Sequence, residues 1–195
     1  MPNTAAEPIE VGTLTVRFHV DADESEGSVS VFECDAPANA RMPAPHSHDG
    51  FDETVFGLDG VTTFTVDGTR TDLNPGEALF IRRRVIHGFS NEGHVDARFL
   101  AIISPGLMGS GYFKDVADVL GGDGPPDIEK LGEVMRRHGL TPAPPTCPVS
   151  AGPAARSPRA PAWQRGPSQP LLRVTFAHSG ACGGGVTRAA AAYSP

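Results

Sequence analysis

The sequence is short of several things, and each shortage excludes a class of protein. It holds three cysteines, one tryptophan and two tyrosines in 195 residues. Cys34, Cys147 and Cys182 form no close pair, so neither a disulfide scaffold nor a thiolate zinc site is supported. No run approaches the roughly 18–20 apolar residues of a membrane span. The first residues, MPNTAAEPIEVG, have no basic region and no apolar stretch, so no secretory signal is expected and the cytoplasm is the expected location. There is no GxSxG, and no cysteine has a plausible catalytic partner. Gly106-x2-Gly109-x-Gly111 has neither the order nor the βαβ context of a nucleotide loop. A formal net charge of −7 argues against nucleic acid as the partner.

What is present is a globular composition with an uneven charge. Hydrophobic residues make up 39% and charged residues 20%, enough for a core. The 23 Gly and 19 Pro favour many turns over long helices. Residues 1–140 carry all 23 acidic residues against 11 basic ones, whereas residues 141–195 carry five Arg, no Lys and no acid. That last stretch also holds 10 Pro, 12 Ala and 6 Gly, with low-complexity runs at 183–185 and 189–192. Such a composition cannot bury enough surface to offset the entropy of ordering, so 141–195 reads as a disordered tail. Leu171 to Ala177 is its only strand-like piece. A cloning or reading-frame origin and a basic tail for anionic partners are both open for it.

From Val11 to Ile103 the chain is a series of short alternating runs divided by turn signals. Leu14, Val16, Phe18 and Val20 alternate with polar residues, the period-2 pattern of a half-buried strand. Further strands are expected at 29–34, 42–48, 53–58, 61–66, 70–73, 78–81, 85–90 and 98–103. Asp67-Gly68 is a two-residue hairpin signal, and Asn74-Pro75-Gly76 marks another tight turn. Short strands without intervening helices predict an all-β sandwich or barrel. Beyond Ile103, Tyr112, Phe113, Val116, Val119 and Leu120 recur at helical spacing before Gly121-Gly122. Ile128, Leu131, Val134, Met135 and His138 form a second stripe, with Pro125-Pro126 before it and Gly139 after it. The expected organisation is a β unit over 1–109, two helices packed on its outside over 110–140, and the tail. The helical stripes are expected to serve as core contacts.

The segment that carries chemistry is His46-Ser47-His48-Asp49-Gly50-Phe51-Asp52-Glu53. On a strand, residues i and i+2 share a face, which puts His46 and His48 roughly 6–7 Å apart along it. Two imidazoles so placed can converge on one ion roughly 2.1 Å from each nitrogen. Asp49-Gly50 can turn the chain so that Glu53 opens the next strand and adds a carboxylate. His87 is a fourth candidate, with Val85 and Phe89 on its face of the strand. Each alone is more often an ordinary surface or hydrogen-bonded residue; the combination in an all-β segment is what points to a metal.

These residues resemble the two motifs of the cupins. The first, G-x5-H-x-H-x3–4-E-x6-G, is matched by Ala40-x5-His46-x-His48-x4-Glu53-x6-Gly60. The second, G-x5-P-x-G-x2-H-x3-N, is matched by Gly76-x5-Arg82-x-Arg84-x2-His87-x3-Asn91, and residues 61–75 separate the two. Ala40, Arg82 and Arg84 depart from the pattern. Arg84 stands where the family has a turn glycine, so either that turn avoids positive φ or it is strained. The resemblance covers about residues 10–104. More loosely, PAPHSHDGFDET, ISPG and MRRHGLTPAP are similar to small bacterial cupins described as quercetinase-like.

The resemblance implies a cupin jelly-roll barrel, commonly a homodimer, holding one divalent transition metal ion per chain on His46, His48, Glu53 and His87. Fe, Mn, Ni and Co all suit that set, as does Zn. It also implies a dioxygenase-type enzyme for a small aromatic or enolisable substrate, with Glu53 both ligand and proton acceptor. The alternative is a non-redox cupin, either isomerase-like or a small-molecule-binding module without turnover. Met42, Val55, Phe64, Phe80 and Phe89 are the expected apolar lining by strand parity. Arg82-Arg83-Arg84 either attracts an anionic substrate or forms a solvated turn, and the second reading is favoured.

Overall fold

A computed structural model describes residues 6–144 except 43 and 123. The expected tail, apart from its first residues, and the candidate strand 171–177 lie outside the described residues. The elements run β1 (Ile9–Val11), β2 (Leu14–Val20), β3 (Ser30–Ala36), β4 (His46–His48), β5 (Asp52–Asp59), β6 (Thr62–Val66), β7 (Thr69–Leu73), β8 (Ala78–Ile81), β9 (His87–Ser90), β10 (Ala97–Ser104), α1 (Ser110–Leu120), α2 (Ile128–Arg137) and β11 (Leu140–Pro142). They form two antiparallel sheets, one ordered β1-β2-β3-β10-β5-β8 and the other β11-β4-β9-β6-β7. The result is a jelly roll whose sheets, among the described residues, do not close into a continuous ring. No helix among the described residues is long and apolar enough to cross a membrane.

The alternation in the sequence is what builds the interior. In β2, β3 and β10 every second residue is buried, bringing Val16, Phe18, Phe32, Cys34, Phe99, Ala101 and Ile103 to one face. The β6–β7 hairpin turns at Asp67-Gly68, both with positive φ (48° and 74°), and pairs Val66 with Thr69. That is the conformation a two-residue hairpin requires.

The helices have separate anchors. Asp127 caps α2 by accepting from the Lys130 N–H at 3.1 Å. α1 begins at Gly109, which has no capping side chain of its own; the Asp21 carboxylate instead accepts from the Ser110 N–H at 3.0 Å. A Cβ on Gly109 would lie 2.4 Å from that carboxylate oxygen, so glycine is what admits the cap. Phe113 then packs edge-on to Phe18 and Phe32, with ring centroids 5.7 and 5.0 Å away. The α2 stripe consists of Leu131, Val134 and Met135; Ile128, expected to belong to it, is 71% exposed in the first turn. His138 leaves the stripe for a polar partner, with Nε2 2.8 Å from the Asp115 carboxylate.

β1 and β11 escaped the sequence reading, both being only three residues long. β11 also corrects the expected boundary at 141, because Thr141 and Pro142 pair with Ser47 and His46 of β4. Proline is tolerated because β11 is an edge strand among the described residues, with β4 as its one neighbour there. Leu140 is fully buried opposite His48. Leu140→Ala should therefore cost about 2–5 kcal/mol. Denaturant unfolding measures this, and a loss below about 1 kcal/mol would remove β11 from the cooperative fold.

Candidate metal centre

Three strands from two sheets deliver the candidate ligands. His46 and His48 stand on β4, His87 on β9 directly opposite His46, and Glu53 on β5 of the other sheet. All four are buried. The ring centroids of His87 lie 4.8 Å from His46 and 4.6 Å from His48. One ligand nitrogen from each histidine falls within 4.8 Å of the others, which is close enough for the three to hold a metal ion.

The hydrogen bonds fix how two of these rings present themselves. His46 Nδ1 lies 3.0 Å from the Ala44 carbonyl and His87 Nδ1 3.0 Å from the Val85 carbonyl. A carbonyl only accepts, so both Nδ1 atoms carry protons and donate. This is the arrangement that leaves Nε2 free to bind a cation. His48 is held differently: its ring stacks on Phe51 at 4.3 Å, and its Nδ1 has no hydrogen-bond partner among the described residues. His46 and His48 Nε2 are 3.1 Å apart, and Glu53 Oε2 lies 3.3 Å from His87 Nε2 and 3.9 Å from His48 Nε2. Two donors held about 2.1 Å from one ion at right angles would be separated by about 3.0 Å. The residues thus fit a divalent ion, with Glu53 standing beside the histidine triad.

Electrostatics support the same reading. Burial, and then the neighbouring histidines, push the His46 imidazole down to about 3. Burial likewise lowers His48 to about 4. Both rings are therefore neutral near neutrality, as ligands must be. Burial also pushes His87 down, but the hydrogen bond and charge of Glu53 outweigh it and raise the group above its ordinary value. The reciprocal effect holds Glu53 below the usual carboxylate range despite its own burial.

The cluster forms part of the wall of a cavity of about 70 Å³. Of the expected lining residues, Met42, Phe64 and Phe89 face this cavity. Val55 is fully buried on the same face of β5 as Glu53, yet it packs in the core and does not line the cavity. Phe80 needs correction: it is 59% exposed, because β8 turns Ile81 inward and Phe80 outward. The sequence reading also missed the contribution of α1. Tyr112, Phe113 and Val116, together with Met108 just before the helix, line the cavity, so this stripe is part of the site as well as of the core. No motif marks these residues; only the docking of α1 against β1 and the Phe18–Phe32 pair places them there.

Two of the three arginines before His87, Arg83 and Arg84, act as a clamp. The Arg83 guanidinium pairs with both Asp52 carboxylate oxygens, at 3.1 and 2.8 Å, and its backbone N–H donates to the same group at 2.8 Å. The Arg84 N–H donates to the His48 carbonyl at 2.7 Å. The turn therefore fixes β9 against β4 and β5, the strands that carry the ligands. Arg84 has φ of 65°, which resolves its departure from the motif in favour of strain. Asn91, at the end of the second motif, is structural: its amide donates to the Ala36 and Val95 carbonyls, both at 2.8 Å.

This is a jelly roll with three converging imidazoles, and comparison with known proteins finds similar ones. Residues 32–103 match the family described as "Cupin domain". The match covers a little over a third of the chain, the segment that contains all four candidate ligands. A 94-residue stretch is 27% identical to quercetin 2,3-dioxygenase from Bacillus subtilis (strain 168), covering 48% of this chain and 27% of that enzyme. The chain thus spans about a quarter of that relative's length. Among solved structures, a predicted oxalate decarboxylase from Thermotoga maritima shares 21% identity, covering 53% of this chain and 93% of its own, with a TM-score of 0.47. The polyketide cyclase RemF from Streptomyces resistomycificus shares 24% identity over 52% of this chain and 73% of its own, with a TM-score of 0.44.

A non-glycine residue in the left-handed region costs about 1–2 kcal/mol. Glycine returns part of that gain through unfolded-chain entropy, about 0.5–1 kcal/mol. Arg84→Gly should therefore raise the melting temperature by about 2–4 °C. A lower melting temperature in this variant would show that the Arg84 side chain contributes more than its backbone costs.

Proposed function

We propose that this chain is a metal-dependent cupin that carries out a dioxygenase-type reaction on a compact enolisable substrate. The observation that carries the reading is the convergence of three imidazoles and a carboxylate on the wall of an otherwise largely apolar cavity. A divalent ion held by His46, His48 and His87 would polarise an enol oxygen and, as Fe, Mn, Ni or Co, provide a place for dioxygen. Glu53 is ionised and next to that position, so it accepts the proton released when the substrate enolises and holds it on Oε2. The apolar walls formed by Phe64, Phe89 and Phe99 limit water beside the carbanionic carbon. Cavity size favours an enolisable aliphatic over an aromatic substrate: about 70 Å³ is well below the roughly 150 Å³ cavity that holds benzene. The partial similarity to a quercetin dioxygenase supports the oxygenase class.

Two measurements test this. Protein purified anaerobically, without chelator or nickel resin, should contain close to one redox-active metal ion per chain by elemental analysis, and His46→Ala should lose it. Protein that is metal-free and takes up none on titration sinks the metalloenzyme reading. Oxygen uptake with a panel of β-diketones should follow the metal content. Glu53→Gln should retain its metal yet lose about 100-fold or more in rate. Fully loaded protein that consumes no oxygen would instead indicate a non-redox cupin, isomerase-like or binding without turnover.

A further inference from the structure

We infer that Tyr112 is the substrate-orienting residue of this cavity, donating its phenol proton to a second oxygen of the substrate while the first faces the histidine cluster. This deepens the proposed function and rests on it. Apart from the four cluster residues and the Cys34 thiol, the cavity wall is hydrocarbon, thioether and aromatic ring. Among the described residues, Tyr112 is the only one in that wall that carries a hydroxyl.

That hydroxyl is also uncommitted. The Tyr112 side chain is buried, with its ring edge-on to Phe113 at 5.0 Å and to His138 at 5.6 Å. Both contacts engage the ring; the hydroxyl makes no hydrogen bond to a described residue, and it is not among the fully sealed polar atoms that lack a partner, so its oxygen keeps some open surface. A buried phenol usually finds a partner for its O–H. Here the available partner is whatever occupies the cavity. Burial, and then the negative charge of Glu53, push the phenol above its ordinary value, so it remains protonated and able to donate.

The arrangement defines a substrate class. A ligand with one oxygen satisfies the histidine side only and leaves the phenol unpaired. A compact molecule with two oxygen functions, such as a β-dicarbonyl, an enediol or a 2-oxo acid, satisfies both. A site built to hydrogen-bond a substrate oxygen discriminates strongly against analogues lacking it, because its own polar group is then left unpaired.

The test uses full-length protein loaded with Co(II) and two probes, followed by calorimetric titration and the visible cobalt spectrum. Acetohydroxamate offers two oxygens, and azide reaches only the cobalt. Tyr112→Phe removes an oxygen that makes no hydrogen bond within the described fold, so its melting temperature should be unchanged. Acetohydroxamate binding should weaken about tenfold in this variant. Azide binding should stay within about twofold, since its contact is with the cobalt alone. Unchanged acetohydroxamate affinity overturns the assignment. Parallel loss of both probes also overturns it, making Tyr112 a support of the metal site rather than a substrate contact. Failure of the wild-type protein to take up cobalt would be a different result, removing the metal reading and this assignment with it.

Discussion

The whole site depends on holding a three-residue strand in place. β4 carries two of the three histidines, and a strand that short has no stability of its own. It is fixed by the His46–His87 pair on one side, β11 on the other, and the Arg84 N–H bonded to the His48 carbonyl. Each restraint comes from a different part of the chain. Together they keep the imidazoles in contact within a buried space where, as unpaired polar groups, they would otherwise be costly.

The turn before His87 shows how function and strain share a location. Arg83 holds Asp52, the residue preceding Glu53, while Arg84 adopts a backbone conformation better suited to glycine. The cationic run therefore spans both sides of the site, tying β5 through a side chain and β4 through the backbone. A solvated turn and a functional element are not exclusive here: the charge of Arg83 is used, but to position a strand rather than to attract a ligand.

Much of this could be read from the sequence because strands and metal ligands leave local marks. Period-2 alternation marks β2, β3, β5 and β10 in the sequence, and the spacing of His46, His48, Glu53 and His87 marks the cluster. What could not be read depends on distant partners. β11 is three residues containing a proline and becomes a strand only because β4 needs a neighbour. Asp21 caps a helix 89 residues away. Phe80 looks as apolar as Phe89, and only the register of β8 turns it outward. Tyr112 sits in an ordinary amphipathic stripe whose role follows from the cavity on which α1 happens to pack.

The pairing of β11 with β4 also sets an order of events. Leu140 lies opposite His48, although 92 residues of chain separate them. During synthesis, His46, His48, Glu53 and His87 all emerge long before Leu140–Pro142. For that interval the histidine strand has at most one hydrogen-bonded neighbour, and the candidate metal ligands are at their most accessible. Access to the histidine cluster and completion of the fold are therefore ordered in time, and β11, the last described strand, is the piece that closes the interval.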